Sequence, residues 1–259
     1  MSPARRGDGR ASAGGRGSAG SDHARLATRA EVMKLARLLG HPAEEFHYLE
    51  HLAAADLRAL RELATERLFD PAGTPLGRLA AASRLLPTAP IAAIAEHAFG
   101  PVLVGRIAGL IDPERAADVA ARLPTGFLAE VAVHLDPRRA ADVLARMPAQ
   151  RIADVARELV ARGEDVTLGR FVGHLPDEHL ALSLRVMDDL TVVRVAFVLE
   201  DPGSLDRVLG LIAPGRLETL LDAAAGTDVW PDALELFATA REPLRSRVLG
   251  ARAAGAASK

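Results

Sequence analysis

The chain has 259 residues, of which 49% are hydrophobic, 25% are charged and only 3% are aromatic, a balance typical of a globular protein whose core is built from leucine, valine and alanine. Its net charge of −2 argues against a surface that attracts nucleic acid or anionic lipid over its whole extent. The absence of cysteine excludes disulfides, thiolate nucleophiles and cysteine-bound zinc or iron–sulfur clusters.

The first 22 residues are predicted to form a disordered tail, because they are rich in glycine, serine, alanine and arginine and show no apolar periodicity. They lack the apolar stretch of a secretory signal, and no run of 18 or more uninterrupted apolar residues follows them. We therefore expect a cytoplasmic protein without a membrane span. We expect no nucleic-acid partner, since GC-rich codon usage explains why only Lys34 and Lys259 are lysines and arginine supplies the other basic residues.

Residues 23–88 are predicted to form an N-terminal helical cap, because apolar residues recur there at helical spacing. The segment 70–74, with the sequence DPAGT, has the composition of a turn. The helices expected in the cap cover 23–39, 43–54, 55–69 and 75–86.

The cap contains one motif that is associated with catalysis. His47, Glu50 and His51 match the inverted zinc-protease pattern H-x-x-E-H, in which two histidines one helical turn apart hold zinc and the glutamate takes a proton from zinc-bound water. On a helix with Phe46 and Leu57 facing the core, both histidines would lie on the exposed side, and no third ligand is marked out. Solvent-facing histidines are the default expectation, and metal binding by His47 and His51 is the alternative.

After the cap, prolines recur about every dozen residues, at 90, 101, 113, 124, 137 and 148. Proline suits the first position of a helix, where its missing N–H is not needed, and a preceding aspartate such as Asp112 or Asp136 can cap that helix. The spacing therefore predicts a chain of short helices.

Two such helices form one repeat of 24 residues. Residues 112–135 align without gaps on 136–159, with 14 of 24 positions identical. Diverged copies fit 89–111 and 164–187, and looser ones begin at 188 and 213. The locally strand-like segment 191–199 is predicted to be helical because the repeat register requires it. A fixed period of this kind predicts an all-α, right-handed superhelix or solenoid over 89–225, with capping helices in 226–254 and a tail at 255–259.

The helical period places one apolar stripe on each helix of a repeat. The first-helix stripes are Ala116, Val119, Ala120 and Leu123, then Ala140, Val143, Leu144 and Met147. The second-helix stripes are Leu128, Val131, Ala132 and Leu135, then Ile152, Val155, Ala156 and Leu159. A further stripe of small residues, Ala117 and Ala121 in the first copy, is predicted to allow close approach of a neighbouring helix.

The phrase that runs from Ala116 to Pro124, and again from Ala140 to Pro148, resembles the repeated phrase of the cytoplasmic N-terminal domain of MgtE-type magnesium transporters. The same superhelix is similar to parts of the flagellar switch protein FliG. In the transporters, that domain regulates transport by sensing magnesium against CBS modules. This chain has no CBS-like segment or transmembrane helices, and it places arginines among positions that are often acidic in the family. The resemblance therefore implies the fold alone. It implies neither a metal site nor a role in transport.

Two charged groups are candidate sites. A ladder on the first helices is predicted either to dock a protein partner or to form a solvated face of paired charges. It consists of Arg115, Asp118 and Arg122, followed by Arg139, Asp142 and Arg146. On the second helices, a smaller acidic patch is the candidate for a weak divalent-cation site. It consists of Glu130, Asp154 and Glu158.

These observations predict a non-enzymatic helical-repeat scaffold or regulatory module that binds a protein partner and needs no cofactor. Two alternatives stay open. One is a magnesium-sensing domain that acts on a transporter, and the other is a zinc-dependent hydrolase that uses His47, Glu50 and His51.

Overall fold

In the computed structural model, every regular element of the described residues is helical, which confirms the all-α class. The structure describes residues 16–69, 75–83, 85–199, 202–225 and 246. The helices are α1 (Arg16–Leu39), α2 (Ala54–Phe69), α3 (Pro75–Ser83), α4 (Thr88–Ile94), α5 (Gly100–Ala108), α6 (Pro113–Ala120), α7 (Thr125–His134), α8 (Ala141–Arg146), α9 (Ala149–Ala161), α10 (Asp165–Val172), α11 (Asp177–Val186), α12 (Asp189–Phe197), α13 (Pro202–Leu211) and α14 (Pro214–Ala225). A 3-10 helix covers Ala43–Leu49, and a π-helical turn covers Ala95–Phe99.

Several predicted features lie outside the described residues. They are the first 15 residues of the tail, the turn 70–74, the capping helices in 226–254 apart from residue 246, and the tail 255–259. The start of α1 differs from the prediction, because this helix begins at Arg16 and so includes residues 16–22 of the segment predicted to be a tail.

The prolines start helices in two different ways. Pro113 is the first residue of α6, and the Asp112 side chain accepts a hydrogen bond from the Arg115 backbone N–H at 3.2 Å, as predicted. The second helices instead start after a proline at the N-cap. At Pro124 and Pro148, φ lies near −60° and ψ is 147° and 135°, an extended conformation that proline's fixed φ favours.

The structure contradicts the prediction that a helix begins at Pro137. Residues 137–140 form turns, and α8 starts at Ala141. The Asp136 side chain accepts from the Arg138 backbone N–H at 3.1 Å and lies 3.5 Å from Nε of Arg138 and 3.6 Å from Nε of Arg139. Asp136 is buried and does not cap an α-helix there.

Helices in equivalent positions of neighbouring repeats pack against each other. Along the second helices, α5 contacts α7, α7 contacts α9, α9 contacts α11 and α11 contacts α13. Along the first helices, α4 contacts α6, α6 contacts α8, α10 contacts α12 and α12 contacts α14. All sixteen residues of the four predicted apolar stripes are buried, and residues 191–197 lie in α12, so both predictions are confirmed.

Close approach of the helices relies on glycine at two positions, and one of them, Gly169, aligns with Ala117 of the predicted small-residue stripe. Ala121 is exposed, so it makes no room for a neighbouring helix. A Cβ atom added at Gly105 would lie 3.0 Å from His134, and one added at Gly169 would lie 2.2 Å from Cγ2 of Val198. Ala117, the other predicted residue of this stripe in the first copy, is half-buried and packs against the core, so only the Ala121 end of the stripe faces solvent.

By length and composition alone, one helical stretch of the described residues, Thr88–Ala108, is apolar enough to cross a membrane. It is not one straight helix. Gly100 has φ +71° and ψ 170°, which only glycine adopts readily, and the chain changes direction there between the π-helical turn and α5. A third of the most apolar window of this stretch is buried inside the protein.

Candidate functional site

The charge ladder lies on α6 and α8, which pack side by side. Asp118, Arg122, Asp142 and Arg146 are all exposed. Nη1 of Arg146 donates to the backbone carbonyl of Asp142 at 2.8 Å, which holds that arginine along its own helix. The four side chains therefore form a mixed-charge surface across two adjacent repeats, which we call the α6–α8 face.

The other two predicted members of the ladder, Arg115 and Arg139, contact backbone and acidic groups of this chain. The Arg115 guanidinium donates to the Leu86 carbonyl in the turn before α4. Arg139 lies beside the buried Asp136. Both arginines are half-buried, so they hold the fold together at the edge of the α6–α8 face.

In the next repeat, the equivalent face of α10 is covered by the N-terminal helices. Alignment places Arg170 and His174 at the positions of Asp118 and Arg122. Both side chains line a small polar pocket together with Arg61 of α2. Helix α1 also packs against α10 and α12. On this face of α10, the chain thus holds its own helices α1 and α2, which we call the helical pair.

Charged contacts attach the helical pair to the repeats. Arg37 of α1 forms an ion pair with Glu164, which precedes α10. Arg138 lies 3.6 Å from Glu62 of α2. These contacts, with the polar pocket around Arg170, make the junction polar, whereas the repeats are joined to each other by an apolar core.

A buried ionic cluster joins α1 to α2. Glu31 accepts hydrogen bonds from Nζ of Lys34 at 2.9 Å and from Nε of Arg61 at 3.1 Å, and all three residues are buried. Burial alone would raise the pKa of Glu31, but the positive charges of Lys34 and Arg61 outweigh it and hold this pKa below its ordinary value. The pair of helices therefore docks as one unit whose internal contacts need an ionised Glu31.

The three carboxylates of the acidic patch on the second helices are each paired with an arginine. Arg162 reaches Glu158 at 2.8 Å and Glu130 at 3.4 Å, so one guanidinium bridges two repeats. Asp154 accepts from Arg157 at 2.8 Å and from Gln150 at 3.0 Å, and these hydrogen bonds lower the pKa of its carboxyl. The carboxylates that were candidate cation ligands are ion-paired with arginine.

The H-x-x-E-H motif does not adopt the geometry that its chemistry needs. The 3-10 helix ends at Leu49, so His47 and His51 do not lie one turn apart on an α-helix. Nδ1 of His47 lies 2.9 Å from the Glu50 carboxylate, and both histidines are exposed as expected. Within the part of the chain that the structure describes, no three histidine, aspartate or glutamate side chains are grouped closely enough to hold a metal ion.

A long apolar cavity of about 200 Å³, which was not predicted from the sequence, lies between the two rows of helices. Its walls come from every helix between α3 and α11, including the four predicted apolar stripes. Periodicity identified the side chains that line the cavity, but it gives no information about the volume left between them.

Comparisons with protein-family models, with curated proteins and with solved structures find no match to this chain. The resemblance to the MgtE N-terminal domain therefore stays an expectation from the repeated phrase.

Proposed function

We propose that this protein is a non-enzymatic interaction module, a right-handed solenoid of paired short helices that binds a helical segment of a partner protein on the α6–α8 face. The packing of equivalent helices along two rows supports the solenoid, since each repeat buries its apolar side against its neighbours. The observation that carries the binding role is the occupation of the equivalent face of α10 by α1 and α2.

The chain's own helical pair is the precedent for the mode of binding. At α10, a helix pair is held by ion pairs and a polar pocket, without continuity of the apolar core. One and two repeats earlier, the same positions carry Asp118, Arg122, Asp142 and Arg146, all of them exposed. A partner helix with both acidic and basic side chains would be complementary to this face, and such pairing favours specificity and correct register.

The test compares two variants of the full-length protein as baits in an extract of the native host. The ladder variant carries Asp118→Ala, Arg122→Ala, Asp142→Ala and Arg146→Ala, and the control carries Gln150→Ala and Arg157→Ala on α9. We expect the wild type and the control to retain a common partner after cross-linking and mass spectrometry, and the ladder variant to lose it while its circular dichroism stays unchanged. Equal recovery of every partner by the ladder variant would rule out the α6–α8 face.

The magnesium-sensing and zinc-hydrolase alternatives gain no support from the geometry of the described residues. The candidate cation ligands are ion-paired with Arg162 and Arg157, and the two motif histidines lie at the end of a 3-10 helix and in the turn that follows. Both alternatives therefore rest on the sequence pattern alone.

A further inference from the structure

The apolar cavity between the helix rows is long and narrow. Its walls run from Leu79 on α3 to Met187 after α11, across the four second-row helices α5, α7, α9 and α11 in succession. Because neighbouring packed helices lie about 8–10 Å apart, the cavity extends over roughly 30 Å. Its 200 Å³ is therefore spread along the axis of the repeats and not gathered into a wide chamber.

The chemistry of the walls is uniform along this length. Aliphatic side chains and a few aromatic or thioether groups line it, and Ser183 carries the only hydroxyl among the described lining residues. That hydroxyl already donates to the His179 carbonyl at 2.8 Å. The walls present no charged group to orient a polar ligand, so any occupant must be apolar along its entire buried length.

One end of the cavity reaches an exposed apolar surface. Leu86, in the turn between α3 and α4, lines the cavity and is itself 45% exposed, and the adjacent Leu85 is 86% exposed. An amphiphile could insert its tail past these leucines and leave its polar head in water. Further along the cavity, the wall includes buried residues such as Leu128, Leu144 and Leu180.

We propose that this cavity binds a single linear hydrocarbon chain, the acyl tail of a fatty acid or of a lipid. The narrow section admits a flexible chain and rejects fused rings. The apolar walls take up methylene groups without offering a hydrogen bond. The exposed leucines at the entrance provide an apolar surface for a tail leaving water or a membrane. This ligand site is independent of the α6–α8 face, whose side chains do not line the cavity.

The test measures binding of fatty acids of 8 to 16 carbons to the delipidated full-length protein, below their critical micelle concentrations, by calorimetry and native mass spectrometry. We expect one palmitate per chain, and a Kd that falls about fourfold for each added methylene until the cavity is filled. Cholate, which presents fused rings, should bind at least tenfold more weakly than palmitate. Palmitoyl lysophosphatidylcholine presents the same tail on a lipid head group, and whichever of the two binds more tightly identifies the source of the tail.

Cavity-filling variants supply the structural control. Ala132→Met and Ala156→Met place extra side-chain volume in the cavity from α7 and α9, and each should weaken palmitate binding at least tenfold. Ala145→Met makes the same chemical change at an exposed position outside the cavity and should bind as the wild type does. If either filled variant fails to fold, the other variant and the chain-length series test the proposal. A Kd independent of chain length, or unchanged palmitate binding in a folded filled variant, would overturn the proposal.

Discussion

Single arginines join the end of one helix to a later repeat. Nη1 and Nη2 of Arg216, on α14, donate to the carbonyls of Leu184 and Met187 at 2.5 and 2.6 Å, and its Nε donates to Asp189 at 2.9 Å. Those carbonyls close α11, and the aspartate opens α12. The last carbonyls of a helix lack partners within the helix, and the fork of the guanidinium supplies donors in the right directions.

The same contact recurs one junction earlier in the chain. Arg207 of α13 donates to the carbonyls of Val172 and Leu175 and to the carboxylate of Asp177. The spacing of these three acceptors, at 172, 175 and 177, matches that of 184, 187 and 189. Arginine therefore has a structural role at the repeat junctions, in addition to being the basic residue that GC-rich codon usage favours.

Replacing Arg216 with methionine should destabilise the protein by roughly 1–3 kcal/mol, because it leaves two carbonyls at a helix end without their donors. Lysine should recover only part of this loss, since its single ammonium cannot span all three acceptors. Urea unfolding monitored by circular dichroism measures the difference. The control Arg185→Met, at an exposed position of α11, should stay within about 0.5 kcal/mol of the wild type, and equal losses in both variants would contradict the role of the junction.

His134, at the end of α7, makes stability depend on pH. Burial lowers its pKa, and the positive charges of Arg37, Arg106 and Arg170 lower it further, although Glu164 opposes them. The unfolded chain then binds this proton more readily than the folded one. Its stabilising contribution is complete above the ordinary histidine pKa of 6.5 and is lost as the pH falls below that value and through the folded-state pKa.

His134→Gln should therefore flatten the fall of the melting temperature between pH 7.5 and pH 5. The measurement is a series of thermal melts across that range. His97 is 76% exposed, and His97→Gln should leave the slope of the wild type unchanged. A slope in His134→Gln as steep as that of the wild type would show that His134 does not contribute.

At the scale of helices, packing between repeats depends on particular close contacts. Gly169 on α10 faces α12, and a Cβ at this position would lie 2.2 Å from Cγ2 of Val198 and 3.3 Å from the Val195 carbonyl. No real Cβ tolerates the first distance, so α12 would have to move. The glycine sets how closely α10 and α12 approach.

Gly169→Ala should lower the free energy of unfolding by roughly 1–3 kcal/mol through overpacking. Gly210, on α13, has no atom within 4 Å of its added Cβ, so Gly210→Ala should be neutral or raise stability by up to about 1 kcal/mol. Adding Val198→Ala to Gly169→Ala should restore part of the loss, and a double-mutant cycle without coupling would contradict this contact.

Local sequence predicted most of these helices but not their details. The apolar period identified the buried side of α6 to α9, and the repeat register gave the correct structure for α12 against its β-branched composition. The 3-10 helix at Ala43–Leu49 was missed, because none of its residues is buried and so no core packing selects a regular α-helix there. The turn at 137–140 was missed because the prediction gave Asp136 the role that Asp112 has.

At the scale of the whole molecule, the sequence predicted which side of each repeat is buried. It did not predict the contacts between elements that lie far apart in the chain. The docking of α1 and α2 on the repeats depends on contacts such as Arg138 with Glu62, which are remote in the sequence and leave no periodic signal. The charge ladder was found as six residues, whereas four form the exposed face. The cavity depends on the spacing of whole helices, and no single residue encodes it.

In this account, the second helices of successive repeats lie side by side in chain order. Distances between the unpaired electrons of paired spin labels test this directly. The chain has no cysteine, so labels can be placed in pairs at the equivalent positions Glu130, Asp154 and Leu182 of α7, α9 and α11. We expect narrow distributions in which the 130–182 distance exceeds each neighbouring distance by about one interhelical spacing, 8–10 Å. A 130–182 distance no longer than the neighbouring ones, or a broad distribution for all three pairs, would contradict the stacking and the proposals built on it.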